Sequence, residues 1–218
     1  MKKLIYLILL QFFMCAVVFA ASKECIFSDC AISPELKTAD KPGHYMSYND
    51  LTKMPGEFEN EYANKILLRG IVVDKECIPV ANAKIMLWQL DEYGDYRYNK
   101  KFATIYDKYK ANYKMYGQFK GNGSAVSNNT GKFSFITVNP SNPKKTNILD
   151  GINAMVVAPG FNKFETKVFI HKTSGKDKKD KSEKGVIAYL NVAASKFYSQ
   201  EVYDVYIVLN GLNKYRRY

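Results

Sequence analysis

The chain has 218 residues, 47% of them hydrophobic and 14% aromatic, and carries a formal charge of +11 at pH 7. A chain of this size buries roughly 70% of the surface of its unfolded form in one domain, which excludes a miniprotein that needs staples to fold. The excess of positive charge favours anionic partners.

Lys2 and Lys3 precede an apolar stretch from Leu4 to Phe19 interrupted only by Gln11, and small residues follow at Ala20, Ala21 and Ser22. This is the layout of a secretory signal peptide at residues 1–20, with Val18 and Ala20 placed where the peptidase pocket requires small side chains. The mature chain is expected to start at Ala21 and to reach the periplasm, the envelope or the extracellular space. The competing reading is an uncleaved anchor, because the run lies near the lower limit for crossing about 30 Å of hydrocarbon. A lipid anchor at Cys15 is disfavoured by its bulky approach, Phe12, Phe13 and Met14. Export directs the basic charge away from nucleic acid and toward anionic lipid or cell-wall polymer at the envelope surface. It also places Cys25, Cys30 and Cys77 in an oxidising compartment, where one disulfide and one free thiol are expected. Cys25 to Cys30 is the local pair, and a bridge from either to Cys77 stays open. The cysteine spacing is not that of a zinc site.

Residues 21–62 carry Pro34, Pro42, Gly43, Pro55 and Gly56 with little periodicity, and read as an extended arm with one short helix around Asn49 to Lys53. The regular domain spans 63–212. Ile66 to Val73 and Ala83 to Leu90 are apolar runs separated by turn chemistry at Asp74 to Pro79, and are expected as neighbouring strands. Gly121 to Ser124 reads as a turn. After the turn signal at Asn128, Asn129 and Gly131, Phe133 and Phe135 face one way while Ser134 and Ile136 face the other. Ile152 to Ala158 is closed by Pro159 and Gly160. Phe164, Thr166, Val168 and Ile170 alternate with Glu165 and Lys167, while Tyr203, Val205, Ile207 and Leu209 alternate over the final strand. Between these, residues 172–185 form a lysine-rich solvated loop, with six lysines and three acids in Lys172 to Lys184. Val186 to Ser199 is ambiguous between strand and helix, and 213–218 is a basic tail. Period-2 patterning without regular strand and helix alternation predicts an all-β sandwich.

The segment Leu68 to Tyr96 (LRGIVVDKECIPVANAKIMLWQLDEYGDY) resembles the signature of the intradiol ring-cleavage dioxygenases, at Gly70, Val72, Asp74, Pro79, Val80, Asn82, Ala83, Trp88, Gln89, Gly94 and Tyr96. Phe119 to Pro140 (FKGNGSAVSNNTGKFSFITVNP) is similar to a second block of that family. The resemblance implies an immunoglobulin-like or transthyretin-like β-sandwich. It also implies ferric iron, Fe(3+), held by two tyrosinates and two histidines for O₂-dependent cleavage of a catechol-type ring.

The residues at the corresponding positions differ from that pattern. Counting back from Pro159 and Gly160, the His-x-His pair falls on Gly151 and Asn153, and the arginine three residues earlier falls on Ile148. Pro140 to Pro143 (PSNP) lacks the second tyrosine, and Tyr109 and Tyr113 are the candidates for the first. Only His44 and His171 occur in the whole chain. The expectation is therefore a degenerate iron site that holds no metal.

The alternatives are a module that binds an aromatic, sugar or peptide ligand through Trp88, Tyr109 and Tyr113, or an envelope interaction protein. Trp88 is also expected in the core, on a run that is apolar on both sides. The tyrosines from Tyr93 to Tyr116 suit stacking, and equally suit ordinary rim packing.

Overall fold

The computed structural model describes residues 30–56, 65–90, 96, 98, 119–140, 151–171 and 185–214. The expected signal peptide at 1–20, Cys25, Tyr109, Tyr113, residues 141–143, Ile148, the lysines of 172–184 and the tail residues 215–218 lie outside the described residues.

In chain order the elements are β1 (Lys65–Val73), β2 (Lys84–Trp88), β3 (Asn122–Val126), β4 (Lys132–Val138), β5 (Ile152–Val157), β6 (Phe164–His171), β7 (Val186–Leu190), α1 (Val192–Ser195) and β8 (Glu201–Val208). Alternation explains most of them. Ile66, Leu68 and Val72 of β1 are buried, and in β4 Phe133 and Phe135 are buried while Ser134 and Ile136 stay half-exposed. The ambiguous segment divides into β7 and α1, because the Asn191 side chain accepts the Ala194 N–H at 2.9 Å and caps a single helical turn.

The strands form one sheet in the order β3-β2-β5-β6-β7-β8-β1-β4. The β1–β8 and β6–β7 pairs are parallel and the others antiparallel. The sheet curls round one apolar core, to which Leu68, Val72, Phe135 and Ile207 contribute from one half and Ile85, Leu87, Ala154 and Val156 from the other. Each of these side chains other than Ala154 contributes about 1.5–3 kcal/mol by leaving water. Gln89, fully buried, ties the end of β2 to the end of β4: its amide donates to the Val138 carbonyl at 2.9 Å and accepts from the Thr137 hydroxyl at 2.8 Å.

β1 and β2 are not neighbours, contrary to the expectation from their spacing. Both edges of β1 are taken, by β4 and β8. The connection explains this. The fully buried Asp74 carboxylate accepts the N–H groups of Glu76 and Ile78, both at 2.9 Å, and of Asn213 at 2.8 Å. Cys77 and Asn82 adopt left-handed φ of 64° and 57°. An aspartate that bonds the backbone two residues on ends regular pairing, so the chain crosses to the other half before β2 begins. The disulfide joins Cys30 to Cys77, with Cα atoms 5.6 Å apart, rather than the local pair, and so anchors the arm to this connection.

The arm lines the sheet. Ser33 N–H donates to the Val208 carbonyl at 3.1 Å and Leu36 N–H to that of Glu165 at 2.7 Å. Further on, the Tyr48 carbonyl accepts from Ser124 N–H (3.0 Å) and that of Asn49 from Ile136 N–H (2.9 Å), while Leu51 N–H donates to Ile136 (2.8 Å). Residues 48–51 are thus a strap between β3 and β4, the two ends of the sheet, and Leu51 is fully buried. Glycine at 123 permits the approach, since a Cβ there would lie 2.5 Å from the Tyr48 carbonyl oxygen. The short helix expected around Asn49 to Lys53 does not form. Its backbone groups are committed to two strand edges, and the Asp50 carboxylate accepts Thr52 N–H at 2.9 Å in a local turn. The expected turn at Gly121 to Ser124 is confined to Gly121, whose φ is 69°, and β3 starts at Asn122.

Candidate functional site

Period 2 sends alternate residues of β2, β5 and β6 to opposite faces. Ile85, Leu87, Ile152, Ala154 and Val156 enter the core. Trp88, Asn153, Glu165 and Lys167 take the outer face, with Trp88 opposite Asn153 and Asn153 opposite Lys167 in the register. Polar residues on an outer face are ordinarily wet, yet Trp88, Asn153 and Glu165 are buried.

Contacts from the arm and from two tyrosines account for the cover. The Trp88 indole N–H donates to the Ala39 carbonyl at 3.1 Å, and the Tyr45 ring meets the indole edge-on with centroids 5.6 Å apart. Asn153 donates its amide to the Tyr96 hydroxyl at 3.1 Å. The Tyr96 ring lies 5.5 Å from that of Tyr98, whose hydroxyl donates to the Asp40 carbonyl at 2.6 Å. Glu165 accepts from the Thr38 hydroxyl at 3.1 Å and from the Lys41 ammonium at 2.8 Å, and pairs with Lys163 at 3.0 Å.

Burial alone would push the Glu165 carboxyl up, but the hydrogen bonds from Lys41, Lys163 and Thr38 outweigh it and hold the group at about 2. The Tyr45 hydroxyl is pushed up to about 12, first by burial and then by the negative charge of Glu165. Burial raises Tyr98 as well, with Tyr96, Asp40 and Tyr45 adding to it. Tyr45 and Tyr98 are therefore neutral dipoles at pH 7 rather than tyrosinates.

The two positions that the resemblance assigns to iron-binding histidines lie on this outer face. A Cβ on Gly151 would sit 2.6 Å from Lys167 Cγ and 2.7 Å from the Val168 carbonyl oxygen, so the stem of Lys167 already fills that space. Asn153 presents an amide that is committed to Tyr96. A glycine, an amide and a phenol hydrogen-bonded to it do not fit a ferric centre built on two imidazoles. Among the described residues, no three His, Cys, Asp or Glu gather where a metal could be held. His44 is exposed in the arm, and His171 ends β6 with its ring 6.2 Å from that of Tyr189.

Trp88 is fully buried, as its apolar strand predicts, but on the outer face under the arm and not in the inner core, so a ligand reaches it only if the arm moves at Ala39. Tyr109 and Tyr113 lie outside the described residues, and the tyrosine that the structure brings to Asn153 is Tyr96, which the Gly-x-Tyr end of the signature already marked. Tyr45, Lys41 and Glu165 escaped the sequence reading. An acid alternating with apolar residues in a strand reads as solvent-facing.

A family model described as "Dioxygenase" matches residues 39–171. A Rickettsia bellii protein provisionally named a dioxygenase is 32% identical over 170 residues, covering 77% of this chain and 79% of its own. A Rickettsia felis protein with the same name is 31% identical over 153 residues, covering 69% of this chain and 72% of its own. Among solved structures, the intradiol ring-cleavage dioxygenase of Tetranychus urticae covers 85% of this chain and 98% of its own at a TM-score of 0.58 and 16% identity. Catechol 1,2-dioxygenase of Acinetobacter covers 83% of this chain and 63% of its own at a TM-score of 0.51 and 15% identity. At such identities these two likenesses concern the fold alone.

Proposed function

This chain belongs to the intradiol ring-cleavage dioxygenase family, and from that premise we propose that it is an exported member whose ferric centre is degenerate and whose fold serves to bind an aromatic ligand. The observation that carries the reading is the pair of outer-face positions 151 and 153. One is a glycine filled from β6 by Lys167, and the other is an asparagine engaged with Tyr96. Family chemistry inserts O₂ between the two hydroxylated carbons of a catechol-type ring, and it needs two imidazoles that this chain does not carry there. What this chain keeps is Tyr45, Tyr96 and Tyr98 around Asn153 and Trp88, where flat apolar rings with hydroxyl tips suit an aromatic partner.

The folded-over sheet is on this reading the immunoglobulin-like or transthyretin-like sandwich of the family. Export is supported by the Cys30–Cys77 disulfide, a bond that persists in oxidising compartments, and N-terminal sequencing of the mature protein should begin at Ala21. A soluble product that retains Met1 would count against export. The iron reading is tested by reconstituting mature protein with ferric iron under air, then desalting it for metal analysis and a visible spectrum. The expected product is colourless and holds no stoichiometric iron. A tyrosinate charge-transfer band with one iron per chain would overturn the reading.

A further inference from the structure

β3 and β4 follow each other in the chain, yet they pair with different strands and occupy opposite ends of the sheet. They diverge from the turn at 127–131, and the strap at 48–51 bridges them where they stand apart. Between turn and strap lies a cleft of about 990 Å³, with Asn128 at one end and Tyr48 at the other. That volume is at the upper end of the roughly 300–1,000 Å³ typical of small-molecule sites.

The lining has two chemistries. Its floor is apolar, formed by the Phe133 ring lying against Gly70, by Ala125 and by Val126, which is 60% exposed. Its charge is positive. Arg69, Lys84 and Lys132 line the cleft against one acid, Asp204, and that acid is engaged by the Arg69 guanidinium at 2.9 and 3.1 Å and by the Asn191 amide. Lys84 and Lys132 are exposed and have no carboxylate partner among the described residues. An apolar patch beside two ammonium groups that lack a carboxylate partner among the described residues, in one open cleft, matches one class of ligand: a small molecule with an apolar body and an anionic group.

We propose that this cleft is a second binding site, for an organic carboxylate whose charge is met by Lys84 and Lys132 and whose body lies on Phe133 and Val126. It is separate from the outer-face tyrosines. Lys84 and Trp88 are the two ends of β2, roughly 13 Å apart along the strand. An inorganic anion would leave the apolar floor wet, and a neutral aromatic would leave both lysines unmatched.

The test is isothermal titration of the full mature chain at low ionic strength with 2-naphthoate and with its neutral counterpart 2-naphthamide. Saturable one-site binding of the naphthoate alone is expected. Lys84→Ala with Lys132→Ala should weaken it about tenfold, the worth of one lost charge-assisted hydrogen bond, without changing the thermal melt. Lys84→Arg with Lys132→Arg should retain it, and Tyr96→Phe, which touches the other site, should leave it unchanged. The proposal is overturned by absence of naphthoate binding, by naphthamide binding equally well, by alanine variants of undiminished affinity, or by loss of binding in Tyr96→Phe.

Discussion

The two faces of β2, β5 and β6 are buried by different means. Inward, Ile85, Leu87, Ile152, Ala154 and Val156 form an aliphatic surface that needs only to leave water. Outward, Trp88, Asn153 and Glu165 are buried just as deeply, but each has a polar group that must find a partner, and the arm supplies Ala39, Thr38 and Lys41 to two of them. An apolar face tolerates any cover of the right volume. A polar buried face specifies its cover, because an unmatched group there costs about 1–3 kcal/mol. The difference makes the arm part of the site and not a tether in front of the domain.

Three substitutions sharpen that contrast. The largest effect is expected from Trp88→Ala, at about 3–5 kcal/mol in urea unfolding, since it leaves a cavity under the arm as large as any in the core. A loss below about 1 kcal/mol would show that the outer face is not packed as described. Next, Cys77→Ser should cost about 2–4 kcal/mol by releasing the arm from the β1–β2 connection, read as the difference in thermal midpoint between oxidised wild type and variant.

Glu165→Gln should cost about 1–3 kcal/mol at pH 7, and its signature is the pH dependence. The native carboxyl sits at about 2 against 4.5 when unperturbed, so its contribution is fully present above pH 4.5 and is lost as pH falls toward 2. Wild type should therefore lose stability over that window while the glutamine variant loses correspondingly less. Parallel curves for the two proteins would show that Glu165 does not hold the arm.

The sequence made the inner face legible and the outer face only in part. Phe133, Phe135 and Val205 alternate with Lys132, Ser134 and Asp204, and that pattern suffices to place them inward. Glu165 and Asn153 also alternate, so pattern alone sends them to solvent. Their burial depends on the arm, which lies more than 100 positions away in sequence from Glu165 and leaves no periodic trace. The misplaced β1–β2 pairing has a similar origin. Asp74 looks like an ordinary turn residue, and only its buried contacts with Ile78 and Asn213 show that the turn leads across the core. What the family resemblance added was position. It marked 151 and 153 as the places to examine, and it put Tyr96 at the end of a signature before the structure showed it beside Asn153.

The proposed loss of the ferric centre from this dioxygenase fold is tested most directly by oxygen uptake. Purified protein incubated with ferric iron is supplied with catechol or protocatechuate in an oxygen electrode, and products are followed in the ultraviolet. With glycine at 151 and an amide at 153, uptake no greater than the iron-only control and no ring-opened product are expected, because supporting groups alone are worth about 10- to 100-fold at a metal site and here the ligands themselves differ. Stoichiometric oxygen consumption with appearance of a ring-opened dicarboxylate would contradict the account and make the chain an active intradiol dioxygenase.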